Sequence, residues 1–197
     1  MITVKAWSCG APHTLPDPIY REFAAGNAVM DYVRQIVKIF HDEHLATLAI
    51  LARFGALLDA HREGVPTDAA AAGDFARMMR DIEALIASDL VAHFAFEENS
   101  LFPVMEAAGY GAMGALLAEE HVSIRVTAGQ LVALFRAVRA VEVKEADWRD
   151  IRRLGFEFMQ QMTVHIEKEE MGLLATLDDV VEEGQDADLA MAYSAAR

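Results

Sequence analysis

Residues 151–177 read IRRLGFEFMQQMTVHIEKEEMGLLATL. Ile151, Leu154, Phe158 and Met162 recur three or four residues apart, and the stripe resumes at Leu173 and Leu177. That period puts them on one face of a helix. Between the two halves of the stripe, the same face carries His165 and Glu169 where leucine is expected. The stretch predicts a long amphipathic helix with polar groups set into its apolar side.

Three other stretches repeat the pattern. From about Asn27 to about Arg62 the stripe is Val29, Val33, Ile36, Phe40, Leu48, Leu51, Gly55 and Leu58, interrupted by His44. Gly64-Val65-Pro66 ends that helix, and Thr67 to Gly73 predicts a small-residue loop. The second stripe is Phe75, Met79, Ile82, Ile86, Leu101 and Val104, with His93 and Glu97 inside it. Pro103 cannot donate to the Asn99 carbonyl, so a kink is expected there, and Gly109 and Gly111 mark the next turn. The third stripe is Met113, Leu117, Ile124, Ala128, Leu131, Phe135 and Val138, interrupted by His121. Short connections make neighbouring helices antiparallel, so the expected fold is all-α, an antiparallel up-and-down four-helix bundle. Its bounds are residues 27–183. An extended N-terminal arm, 1–26, holds Gly10, Pro12, Pro16 and Pro18, and a weakly specified C-terminal tail occupies 184–197.

Composition narrows the function classes. The 197 residues are 54% hydrophobic, enough for one domain with a real core. A net charge of −14 repels phosphate backbones, so no nucleic-acid partner is expected. The single cysteine, Cys9, can form neither an internal disulfide nor a thiolate metal site. The N-terminus has no apolar h-region, and no run approaches ~20 apolar residues. Neither a secretory signal nor a membrane partner is expected, and the default localisation is cytoplasmic.

The six inward groups His44, His93, Glu97, His121, His165 and Glu169 pose a burial problem. Each unpaired buried carboxylate costs several kcal/mol. A lone buried histidine is ordinarily a hydrogen-bonded core residue. One on each of four helices, with two carboxylates on the same faces, would require four coincidences together. Two metal ions answer the problem, because imidazole and carboxylate suit Fe, Mn or Zn without sulfur and a divalent pair neutralises the acids. Other histidine chemistries fail. Positions 41, 90, 118 and 162 are His, Leu, Ala and Met, so the Glu-x-x-His units of ferritin-like bundles are absent. Residues 41–44 read HDEH, which is not a zincin motif.

Glu43-His44-Leu45, HFAFEENSLFPVME (93–106), LLAEEHVSIR (116–125) and HIEKEEMGLLATL (165–177) resemble the hemerythrin-like, or HHE cation-binding, family. The resemblance covers roughly residues 28–181. It implies an oxo- or hydroxo-bridged pair of iron ions, Fe2+ or Fe3+, with Zn or Mn as substitutes. Carried over by position, His44 and His93 serve one iron, His121 and His165 the other, and Glu97 and Glu169 bridge. Glu98 and Glu170 match the adjacent non-ligating acids. His41, one turn before His44, is either a further ligand or a donor behind the ligands.

Two departures bear on function. Oxygen carriers of the family have a further histidine where this chain has Arg125, and an aspartate five residues after the fourth-helix histidine where this chain has Glu169 at four. Both resemble the broader family of sensors, iron-handling proteins and repair proteins. The expected function is a di-iron binding module that meets O2, NO or peroxide in sensing, scavenging or iron handling. The alternative is a di-iron enzyme of peroxide turnover or of oxidative or nitrosative damage repair, and a third reading is a purely structural metal bundle. No further acid or base is evident beside the ligands, which leans away from an enzyme. The arm before residue 27 is too short for the cysteine-bearing domain of repair proteins. A sensor would need a separate signalling partner.

Overall fold

The computed structural model describes residues 31–139 and 143–196. The expected arm, 1–26, with Cys9, lies outside the described residues. Among the described residues the fold is all-helical, without strands. In chain order the helices are α1 (Gln35–Ala60), α2 (Ala69–Ala84), α3 (Leu90–Phe96), α4 (Phe102–Ala107), α5 (Gly111–Arg139), α6 (Glu145–Lys168), α7 (Ala175–Val180) and α8 (Glu183–Ala196). Helices α2, α3 and α4 run on through two π-helical turns, Leu85–Asp89 and Glu97–Leu101, and α6 runs into α7 through a third, Glu169–Leu174. Helix α5 packs against α4 and α6, and α1 packs against α2, α6 and α8.

Local chemistry explains the boundaries. The expected helix start near Asn27, with Val29, lies outside the described residues; residues 31–34 are not helical, α1 starts at Gln35, and the N–H groups at and just before its start find acceptors far along the chain. Asp178 accepts from the Val33 and Arg34 N–H groups at 2.9 and 2.7 Å, and Asp186 from those of Gln35 and Ile36 at 2.7 and 2.8 Å. Val33, expected on the apolar stripe, precedes the helix and is 70% exposed. The expected loop 67–73 stops at Asp68, whose Oδ1 accepts from the Ala71 N–H at 2.9 Å. A cap of that kind stabilises by about 1 kcal/mol, and the alanines after it favour helix. Where Pro103 predicts a kink, the structure has the π turn Glu97–Leu101 just before it. Gly109, at φ +92°, closes α4: its N–H donates to the Glu106 carbonyl and the Tyr110 N–H to that of Met105. Glycine alone adopts that left-handed turn without cost.

The tail expected at 184–197 is not a tail as far as it is described. Residues Glu183–Ala196 form α8, which buries Asp186, Ala190 and Tyr193. Its docking combines the Asp186 bonds to the start of α1 with the Tyr193 ring, which lies 4.8 Å from both Phe40 and Phe96.

Among the described residues, the buried apolar side chains form two clusters. One contains Leu51, Phe54, Leu58, Leu131, Phe135 and Phe158. The other contains Ile36, Phe40, Leu101, Leu117, Leu173 and Leu177. The histidine-bearing positions fall between them in every long helical stretch, as the interrupted stripes predict. Helix α6 approaches α1 closely at Gly155, where an added Cβ would lie 2.9 Å from both Leu58 Cδ1 and Phe54 Cε1. Both partners are fully buried. Gly155→Ala should therefore lower stability by about 1–3 kcal/mol through overpacking, read as a fall in the urea midpoint at unchanged slope. An unchanged midpoint would show that the core yields there.

Candidate metal centre

All six sequence-predicted groups meet in the gap between the two apolar clusters. His44 comes from α1, His93 from α3, His121 from α5 and His165 from α6, while Glu97 and Glu169 each open a π turn. Every one of them is buried, with Glu97, His121 and Glu169 at 0% exposure. They form two sets sharing both glutamates: His44, His93, Glu97 and Glu169, and Glu97, His121, His165 and Glu169. Within each set one possible ligand atom per residue lies within 4.8 Å of the others.

The two carboxylates span the sets oxygen by oxygen. Glu97 Oε1 faces His93 Nε2 at 3.3 Å, and its Oε2 faces His121 Nε2 at 3.2 Å. Glu169 Oε2 faces His44 Nε2 at 3.1 Å, and its Oε1 faces His165 Nε2 at 2.9 Å. The histidines pair as well, with His44 Nε2 3.3 Å from His93 Nε2 and His121 Nε2 3.1 Å from His165 Nε2.

Each imidazole is oriented from behind by its own carboxylate. His44 Nδ1 lies 2.6 Å from Glu170 Oε1, His93 Nδ1 2.9 Å from Glu43 Oε2, His121 Nδ1 2.7 Å from Glu98 Oε1 and His165 Nδ1 3.0 Å from Glu120 Oε2. A carboxylate at Nδ1 holds the proton there, so each neutral ring turns a bare Nε2 lone pair inward. Further donors hold the outer acids in turn. The Tyr193 hydroxyl donates to Glu43 at 2.7 Å, Arg125 to Glu98 at 2.9 Å, and Tyr32 to Glu170 at 3.0 Å; Lys168 pairs with Glu120. His41 Nδ1 lies 2.9 Å from Glu170 Oε2, on the outer carboxylate rather than among the inward Nε2 atoms.

Sequence reading singled out Glu98 and Glu170 but missed Glu43 and Glu120 as partners. Each of these precedes a histidine, yet Glu43 supports His93 and Glu120 supports His165, both on other helices. The π turns supply the rest of the geometry. A turn closed i→i+5 takes more residues than an α turn, so consecutive side chains are separated by less rotation. Glu97 and Glu98, and likewise Glu169 and Glu170, can therefore both serve the centre.

The fit to metal rests on four oxygen atoms. Both carboxylate oxygens of Glu97 and both of Glu169 are buried without a hydrogen-bond partner. They face Nε2 lone pairs, so acceptors oppose acceptors. Such an arrangement is unfavourable by several kcal/mol unless cations lie between them. Without a metal, protons take that place. Burial lowers the affinity of His44, His93 and His121 for a proton, but the surrounding carboxylates outweigh it. His44 is raised to about 9 mainly by Glu169 and Glu170, His93 to about 10 by Glu97 and Glu43, and His121 to about 9 by Glu169, Glu97 and Glu98. Burial raises Glu169, yet His165, His121 and His44 hold it well below the carboxylate range.

The two halves differ in their walls. A cavity of about 70 Å³ between α1 and the α3 stretch is lined by His44, His93, Phe94, Thr47, Leu90 and Glu169 among others. That holds a few waters or a small ligand. On the other half, Phe94 stacks on His121 at 3.8 Å and Phe102 lies 5.7 Å from the same ring.

Among protein families, the model of the hemerythrin HHE cation-binding domain matches residues 35–187. No curated protein and no solved structure matches the chain.

Proposed function

The chain belongs to the hemerythrin HHE cation-binding family, and from that premise we propose that it is a non-haem di-iron protein that binds O2, NO or peroxide in sensing, scavenging or iron handling. In this reading the helices form the antiparallel up-and-down bundle of the family, with α8 added against α1. His44 and His93 hold one iron, His121 and His165 the other, and Glu97 and Glu169 bridge. The observation that carries the reading is the set of four buried, unpartnered carboxylate oxygens opposite inward imidazole nitrogens.

When bound, a di-iron pair supplies redox-active Lewis acids with room for an exogenous ligand. The protein's residues determine how that ligand arrives. The cavity touches His44 and His93, so a small molecule approaches that half, while the Phe94 and Phe102 rings cover His121. Arg125 is spent on Glu98 and carries no free lone pair, so it cannot serve as a further ligand.

Metal analysis of the purified chain, with optical spectra of the oxidised and reduced forms before and after azide or NO, tests the function. Two irons per chain and a ligand-dependent absorption are expected; zinc alone, or no response to any small ligand, would favour the structural reading. The bridges have a sharper test. Glu97→Gln and Glu169→Gln keep shape but remove charge, and should weaken the magnetic coupling between the irons several-fold. Glu98→Gln and Glu170→Gln should disturb it far less, and the reverse order would mean that the wrong acid of each pair has been assigned.

A further inference from the structure

Behind His121 and His165, the outer carboxylates are each matched by a basic side chain. Arg125 Nη2 donates to Glu98 Oε1 at 2.9 Å, and its guanidinium also lies 5.3 Å over the Phe94 ring that stacks on His121. Lys168 pairs with Glu120, the acceptor of His165 Nδ1. Each cation thus sits one contact beyond the carboxylate that holds an imidazole of the same half.

A full carboxylate charge at Nδ1 pushes electron density onto the ring and makes Nε2 a stronger donor to a metal. A cation on that carboxylate draws the charge back. The ion beyond it then meets a weaker donor and a less negative field, so its lower-valent form is favoured. Charge counting points the same way. With neutral imidazoles, the centre contains the carboxylates Glu43, Glu97, Glu98, Glu120, Glu169 and Glu170, and two divalent ions plus Arg125 and Lys168 offset that charge. Removing either cation leaves an excess negative charge that a trivalent ion would satisfy.

We propose that Arg125 and Lys168 are positioning residues that set the redox poise of the centre, raising the reduction potential of the ion held by His121 and His165. The inference rests on the di-iron reading above. Their effect is moderated because both side chains are partly exposed, Arg125 at 44% and Lys168 at 37%, so solvent screens them.

The test is an anaerobic redox titration of the iron-loaded full chain, in which Fe2+ gives up one electron to ferricyanide and becomes Fe3+. The Fe2+ and Fe3+ populations are read by Mössbauer and paramagnetic resonance. Wild type, Arg125→Gln, Lys168→Gln and the double variant are compared, with Arg53→Gln as a surface control. Iron content and helicity are measured first. Each single glutamine variant should keep its iron and show a three- to tenfold higher ratio of Fe3+ to Fe2+ at a fixed potential, tenfold being about 59 mV. Arg125→Lys and Lys168→Arg should restore the wild-type ratio. Full iron with an unmoved titration in the double variant would overturn the proposal. Iron lost from a folded double variant would overturn it too, since the cations would then serve only to hold the ligands. A wild type that takes up no redox-active iron would sink the di-iron reading first and this inference with it.

Discussion

Replacing His93 and His165 together with alanine should empty the centre and lower the melting temperature by roughly 15–30 °C relative to the metal-loaded wild type. The reasoning starts from linkage: a ligand that binds only the folded chain adds RT ln(1 + [L]/Kd), about 4 kcal/mol per ion at a free concentration a thousandfold above Kd. In a chain of this size, each kcal/mol moves the melting temperature by roughly 2–4 °C. The two histidines come from different sets, so neither set keeps a full complement of ligand atoms. The substitutions also leave Glu43 and Glu120 without their imidazole partners. Melting both proteins with and without a chelator separates the two contributions: the chelator should cost the wild type most of the difference and the double variant almost nothing. Two metal ions per chain in the double variant would refute the ligand assignment.

The six inward groups were legible because they break a period. A histidine between Phe40 and Leu48, or between Leu117 and Ile124, stands out against a stripe that otherwise predicts leucine, and the two apolar clusters fall on either side as the stripes require. What stayed hidden depends on contacts between helices. Nothing local distinguishes Glu43 from Asp42, since its role comes from His93 on another helix and Tyr193 on α8. The sequence hides the start of α1 at Gln35 because its caps, Asp178 and Asp186, lie more than a hundred residues further on. Helix α8 reads as a tail in the sequence because the Asp186 and Tyr193 contacts that hold it reach residues more than a hundred positions away. The π turns are invisible to a reading that assumes 3.6 residues per turn. That assumption still brings Glu97 and Glu169 to the faces that carry His93 and His165, because each stands one α-helical turn after its histidine, at the residue where the π turn begins.

The pH dependence of stability should change sign with metal. In the metal-free protein, His44, His93 and His121 have folded pKa values of about 9, 10 and 9, above the ordinary histidine value of about 6.5. A raised folded pKa gives stability that is fully present below pH ~6.5 and lost as pH climbs through about 9 to 10. The depressed acids, Glu169, Glu170, Glu98 and Glu120, contribute stability that is present above their ordinary range and lost on further acidification. The metal-free chain should therefore be most stable in mildly acidic solution and weaken toward pH 10. Metal reverses the alkaline limb. An ion needs the Nε2 lone pairs, so binding at neutral pH must expel the protons that occupy them, and each proton expelled makes affinity rise roughly tenfold per pH unit. Uptake at pH 7 should release close to three protons, one from each of His44, His93 and His121, and release should fade as pH approaches 10. The increment in melting temperature due to metal should accordingly grow between pH 6.5 and 10 while the metal-free value falls. Calorimetric titration in two buffers of different ionisation enthalpy counts the protons directly. Uptake without proton release at pH 7, with an affinity flat from pH 6 to 9, would mean that the imidazoles are already neutral in the empty centre and that the Glu97 and Glu169 charges are met in some other way.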